Sequence, residues 1–124
     1  MHRDHRPGIV ENCVFCMIAN HKMDARTVYE DDQVLAFDDI TPQAPVHTLI
    51  VPKVHYTGMG DDVPADAIAA LFSAVPRVAE LKGVAETGYR VVVNNGRDAS
   101  QSVDHLHVHV LGGGMMSHGM VRFD

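Results

Sequence analysis

The run His105-Leu106-His107-Val108-His109-Val110 places an imidazole at every second position. In a strand, where side chains alternate between faces, this spacing puts His105, His107 and His109 on one face and Leu106, Val108 and Val110 on the other. One face is then chemistry and the other core. Successive histidines on that face stand roughly 7 Å apart, near enough for one ring to attack while its neighbours orient it or handle a proton. The triplet by itself also fits a metal site or a solvated polar face. The flanks shift the balance toward chemistry. Before the triplet, Asn94, Asn95, Gly96, Ser100, Gln101 and Ser102 form a donor-rich loop of the kind that wraps backbone and hydroxyl hydrogens around a phosphate. After it, Gly112, Gly113 and Gly114 let the backbone turn sharply away.

A second group with chemical potential is Cys13-x-x-Cys16. These two cysteines are too close in sequence to make a disulfide framework, and such a pair in a reduced chain binds metal, does redox chemistry or stays as buried thiols. They supply half of a tetrahedral zinc site and need two more ligands from elsewhere, for which His55 is a candidate.

The elements that must hold these groups follow from periodicity. Residues Met1–Pro7 are polar and read as part of a loose tail, taken as 1–12, ahead of one domain over 13–124. CVFCMIAN is apolar enough for a short buried helix or turn, and TVYE and QVLAF read as a hairpin about Asp31-Asp32. Asp38 to Pro42 breaks the strand. HTLIVPK predicts another strand from His47 to about Val51, stopped by Pro52. One long helix follows, capped by Asp61 or Asp62 with Pro64 in its first turn. Its apolar stripe is Ile68, Leu71, Phe72, Val75 and Ala79, with a kink at Pro76 and an end at Gly83. YRVVVN and HLHVHVL are the last strands, flanking the polar loop. One long helix among mostly consecutive strands predicts an α+β fold with an antiparallel sheet rather than a doubly wound parallel one.

Composition bounds the function. The chain has 124 residues, 13.6 kDa, nine histidines and a formal charge of −6. That length fits a single domain burying only about two-thirds of its unfolded surface, so a subunit partner or a metal would usefully supplement the core. The negative charge argues against a protein that grips nucleic acid by neutralising phosphates. No window approaches the roughly 20 apolar residues of a membrane span, and MHRDHRPG has no apolar stretch that could serve as a signal peptide, so a cytoplasmic address is expected.

The run QSVDHLHVHVLGG resembles the signature of the histidine-triad (HIT) family, and its QSV and LGG flanks are more similar to the nucleotide-binding Hint branch than to the dinucleoside polyphosphate hydrolases. FDDITPQAPVHTLIVPKVH resembles the family's central strand region and CVFCMI its N-terminal turn. The resemblance implies a five-stranded antiparallel sheet with one long and one short helix, and a homodimer whose sheets join into ten strands. It implies that His107 is the nucleophile, forming a nucleotidyl-histidine intermediate that water then releases. Chemistry agrees: a neutral imidazole is a competent nucleophile near pH 7 and leaves readily from phosphorus. Its other nitrogen should donate to a backbone carbonyl.

By the same resemblance His109 contacts the α-phosphate, His47 supports it, and Ser102 donates toward the leaving atom. Asn94 and the backbone at Ser100, where the family often has glycine, complete the phosphate cradle. Asp39 is matched to the acid that holds the ribose hydroxyls, although Asp38-Asp39 before Pro42 also suits plain turn chemistry. Val14, Phe15, Ile18, Phe37 and Ile40 match an apolar base pocket, though each alone reads as core. Zinc is expected on Cys13, Cys16, His55 and His105. The implied activity is that of a purine nucleoside phosphoramidase or nucleotidyl hydrolase acting on AMP or GMP conjugates. The alternatives are a dinucleoside polyphosphate hydrolase, a nucleotide-binding regulatory module with vestigial hydrolysis, and a zinc protein using all three triad histidines as ligands. The tail MMSHGMVRFD lacks the tryptophan of several Hint proteins, which bears on leaving-group preference.

Overall fold

The computed structural model describes residue 10 and residues 12–122, so the histidines of the first segment lie outside the described residues. Five strands form one antiparallel sheet: β1 (Thr27–Glu30), β2 (Val34–Asp38), β3 (Val46–Pro52), β4 (Tyr89–Val92) and β5 (Val108–Gly112), in the order β1-β2-β3-β5-β4. A short helix α1 (Val14–Ala19) precedes β1, and a long helix α2 (Ala65–Leu81) links β3 to β4. The expected α+β architecture is present.

Period-two alternation sorts the central strands onto two cores. Val34, Ala36, Ile50, Val108 and Val110 face α2 and pack with Leu71, Ala74, Val75 and Val78. Leu35, Phe37, Leu49 and Val51 face the other way, onto Phe15, Cys16 and Ala19 of α1. Both faces of β2 and β3 are therefore buried, which is why those strands read as nearly continuous apolar runs.

Helix α2 begins later than its acids suggested. Its N-cap is Pro64, outside the first turn, and neither Asp61 nor Asp62 caps it. Asp61 instead accepts the backbone N–H of Thr57 at 2.9 Å, closing the preceding turn. The helix continues through Pro76 and ends before Gly83, whose φ of 75° suits glycine. Of the apolar stripe, Leu71, Val75 and Ala79 are buried, Ile68 is half-buried and Phe72 is exposed. At its C-terminus Lys82 reaches Asp38 (2.9 Å), which also accepts from Thr48, so the helix end is pinned to the strand pair that carries Asp39.

The last strand starts at Val108, not at His105. Pairing with β3 runs from Val46↔Gly112 to Ile50↔Val108, and extending that register would set Leu106 opposite Pro52. Proline has no N–H to give, so the ladder stops there. Leu106 N–H donates instead to Tyr56 O at 2.7 Å. The alternation of faces survives: Leu106 joins the α2 core, while His105 and His107 lie against Phe15 of α1.

Candidate active site

His47 lies two residues along β3 from Leu49, the partner of His109, so the two rings are diagonal neighbours on one sheet face. Their nitrogens meet at 2.8 Å, His47 Nε2 to His109 Nδ1. The direction of this bond is set from outside. The backbone N–H of Gln43 donates to His47 Nδ1 at 3.0 Å, so that nitrogen is the acceptor and the ring proton sits on Nε2. His47 Nε2–H then donates to His109 Nδ1, and His109 must carry its own proton on Nε2. That nitrogen is buried and has no hydrogen-bond partner among the described residues. A buried donor without an acceptor costs on the order of 1–3 kcal/mol, a debt that an anion placed before it would cancel.

His107 is set the opposite way. Its Nδ1 lies 2.7 Å from the carbonyl oxygen of His105, so Nδ1 carries the proton, as expected from sequence, and Nε2 is left as a free lone pair. Phe15 meets the ring edge-on, centroids 5.1 Å apart, and fixes its plane. The His107 and His109 rings stand 4.9 Å apart. One offers a lone pair and the other a hydrogen.

Burial favours the neutral form of His47, His105 and His109. It lowers the pKa of His109 to about 4, helped by His107 and His47, and it lowers His47 too, against the opposing pull of Asp39. Burial also lowers His105 to about 4. Folding therefore holds His105 and His109 deprotonated, whereas the unfolded chain protonates them near pH 6.5. The resulting stability is complete above pH 6.5 and is lost as pH falls toward 4. The melting temperature should drop over that interval, and a flat profile between pH 6.5 and 4 in a thermal scan would contradict the burial of these rings.

Asp39 does turn chemistry: its Oδ1 accepts from Thr41 N–H (2.8 Å) and Thr41 Oγ–H (3.1 Å). Its Oδ2 stands 3.6 Å from His47 Nε2, at the edge of the triad. Ser100 sits in the left-handed region (φ 58°), and its N–H closes a 3-10 turn on Arg97 O at 2.9 Å, so that amide is already engaged. Asn94 is half-buried, two residues beyond the end of β4. Ser102 and Val14 line one cavity of about 410 Å³, together with Thr57, Asp104 and the cluster residues Cys13 and His55. A larger cavity of about 740 Å³, by Gly88, Arg90 and Met115, touches none of the triad and lacks groups for this chemistry. Of the five apolar positions, Phe15 and Phe37 pack edge to face, centroids 5.5 Å apart, with Ile18 against their cluster. Ile40 is 93% exposed.

Cys13, Cys16, His55 and His105 converge, their ligand atoms all within 4.8 Å of one another. Cys13 Sγ and Cys16 Sγ lie 3.2 and 3.3 Å from His105 Nδ1, and Cys16 Sγ lies 3.1 Å from His55 Nδ1. Zinc with bonds of about 2.3 Å to sulfur and 2.0–2.1 Å to nitrogen would set tetrahedral S and N ligands roughly 3.6 Å apart, close to this spacing. Two further observations support the fit. His105 Nε2 donates to Pro52 O at 2.9 Å, which leaves Nδ1 unprotonated and aimed at the sulfurs. Burial pushes the Cys16 thiol up to about 11, so that thiol needs a cation beside it before it can ionise. Only the first triad histidine joins the cluster, and His107 and His109 stay outside it.

Two features were out of reach of sequence reading: the Gln43 N–H that orients His47, and the Pro52 carbonyl that orients His105. Both are backbone groups, and no residue type announces them.

The five-stranded antiparallel sheet thus presents oppositely protonated imidazoles beside a Cys2His2 cluster. Residues 20–116 match the HIT domain family, and the chain belongs to it. Within the family it falls with the Hint branch, as its QSV and LGG flanks imply. It is 39% identical over 108 residues to a purine nucleoside phosphoramidase of Escherichia coli, covering 85% of this chain and 90% of that one. A 14 kDa zinc-binding protein of Brassica juncea is 43% identical over 108 residues, covering 84% and 95%. The solved HIT family hydrolase of Clostridium thermocellum superposes with a TM-score of 0.86 at 42% identity, over 90% of this chain and 99% of that one.

Proposed function

We propose that this protein is a nucleotide-binding hydrolase of the purine nucleoside phosphoramidase type, converting a nucleoside 5′-phosphate joined to X into the nucleoside monophosphate and X. The observation that carries the reading is the pairing of a free His107 Nε2 lone pair with an unpartnered, buried His109 Nε2–H. The first is a nucleophile and the second a fixed donor for a phosphate oxygen, preorganised before substrate arrives.

In the first step His107 Nε2 forms a bond to phosphorus while the bond to X breaks, its electron pair leaving on X with a hydrogen bond from Ser102. The ring becomes a phosphorylated imidazolium, whose positive charge faces the His105 carbonyl 2.7 Å from Nδ1. Water then displaces the ring from phosphorus, and the proton it loses passes to solvent or to X. His109 holds a phosphate oxygen through Nε2–H and His47 supports it by donating to His109 Nδ1, Asn94 and the loop backbone at Ser100 line the cradle, and Oδ2 of Asp39, beside His47, takes the ribose hydroxyls. Phe15, Ile18, Phe37, Val14 and Ile40 contact the base. Cys13, Cys16, His55 and His105 hold zinc, which supplies a structural cross-link and no step of the reaction. The working unit is a domain over 13–124 behind a tail, acting in the cytoplasm. It is a homodimer in which β4 pairs with its copy; the exposed Tyr89 and Val91 of that edge strand support this.

The test is a comparison of substrates. Adenosine 5′-phosphoramidate should be cleaved at least about tenfold faster, by kcat/KM, than a diadenosine polyphosphate, with an adenylylated chain seen by intact mass spectrometry. The reverse preference would assign it to dinucleoside polyphosphates. Tight AMP binding without turnover or a trapped adduct would make it a regulatory module.

A further inference from the structure

Gln101 belongs, by its residue type and its place in the loop, among the expected phosphate donors. The structure assigns it a different task. Both hydrogens of its amide are taken, Nε2 donating to Thr57 O at 2.7 Å and to Val103 O at 2.9 Å. Its Oε1 accepts the N–H of Gly96 at 2.8 Å, and its own N–H returns to Gly96 O at 3.1 Å. A primary amide has two hydrogens to give, so no donor remains for a ligand. We propose that Gln101 is a positioning residue: its amide clasps the 94–102 loop shut and fastens it to the 55–60 turn, so that the loop is shaped for phosphate before phosphate binds. The role rests on the reading above that this loop cradles the nucleotide phosphate.

A second, independent bond closes the same seam. Asn95 Oδ1 accepts Gly60 N–H at 3.2 Å, and a Cβ on Gly58 would run into that same oxygen. The loop needs such fastening, because it contains Gly96 at φ 86° and Ser100 at φ 58°, a conformation that serine adopts only at a cost. The turn on the other side of the seam is itself anchored: Tyr56 O receives Leu106 N–H, between His105 and His107, and the adjacent His55 belongs to the Cys2His2 cluster. The clasp thus ties the phosphate loop to the backbone that sets the nucleophile.

Gln101→Met keeps the length of the side chain and deletes all three of its bonds, while Gly58→Ala keeps Gln101 but drives a Cβ into Asn95 Oδ1 and presses on Gln101 Oε1 at 3.3 Å, prying the same seam from the other side. Measured on the full chain as purified, both variants should raise amide hydrogen exchange at least about tenfold in residues 94–102, with β2, β3 and α2 unchanged. AMP should bind about tenfold or more weakly by calorimetry, and KM for adenosine phosphoramidate should rise about as much, while kcat falls by less than about threefold. Wild-type exchange and wild-type AMP affinity in both variants would overturn the clasp, as would a loss confined to kcat with KM intact. If the unaltered protein fails to bind AMP, the phosphate-loop reading itself falls, whereas the exchange data still judge whether Gln101 closes the loop.

Discussion

Replacing His107 with alanine is expected to cut turnover of a nucleoside phosphoramidate by at least about a thousandfold while AMP still binds within about tenfold of the wild-type affinity. The asymmetry follows from what the ring does. Its Nε2 lone pair makes a bond that exists only after the ground state, and no neighbour can supply it: His105 points Nδ1 at the cysteines, and His109 and His47 are committed to each other. The groups proposed to grip phosphate and ribose, His109 Nε2–H and Asp39 Oδ2, are untouched by the change. His109→Ala makes the informative contrast. It removes one preorganised donor, an effect of order 10²–10³ in kcat for donors of this kind, and leaves the nucleophile in place. Steady-state kinetics with calorimetry of AMP separates the two. Near-normal turnover in His107→Ala would dismiss that ring as nucleophile.

Removing metal from the Cys2His2 cluster is expected to lower the melting temperature by at least about 10 °C, and Cys16→Ala should do the same without a chelator. Helix α1 has six residues, too few to be stable alone. It is held by packing of Phe15, Cys16 and Ala19 on the sheet, and by a cluster that joins its first turn to the segment after β3 and the segment before β5. Three chain segments meet at that point. Loss of the cross-link also leaves His105, whose carbonyl is the partner of His107 Nδ1, held only by its bond to Pro52 O and by packing. Calorimetry before and after chelation, with elemental analysis for zinc, reads this directly. A melting temperature unmoved by complete removal of metal would show that the four residues pack as neutral thiols and imidazoles.

The residue pattern alone determined much of this protein. Short runs of β-branched, aromatic and apolar residues in TVYE, QVLAF, HTLIV and YRVVV, bounded by turn residues, located strands, because a run of that length is too short for a stable helix and suits a buried strand. The Leu71, Val75 and Ala79 stripe located the long helix for the corresponding reason at a period near 3.6. The histidine alternation told which side chains share a face even where no ladder forms, since His105 and His107 keep the alternation outside β5.

What the tertiary structure decided is where each proton sits and which donors are already used. Pro52 ended the ladder from the neighbouring strand, and its carbonyl turned His105 toward the sulfurs. Gln43 N–H, four residues before His47, set the direction of a hydrogen bond that spans 62 positions to His109. Gln101 looked like a ligand donor in the chain and became a clasp in the fold. Side-chain periodicity is a local property and can be read in order along the chain. The tautomer of an imidazole and the free valence of an amide depend on which backbone groups arrive opposite them, and only the packed fold brings those groups together.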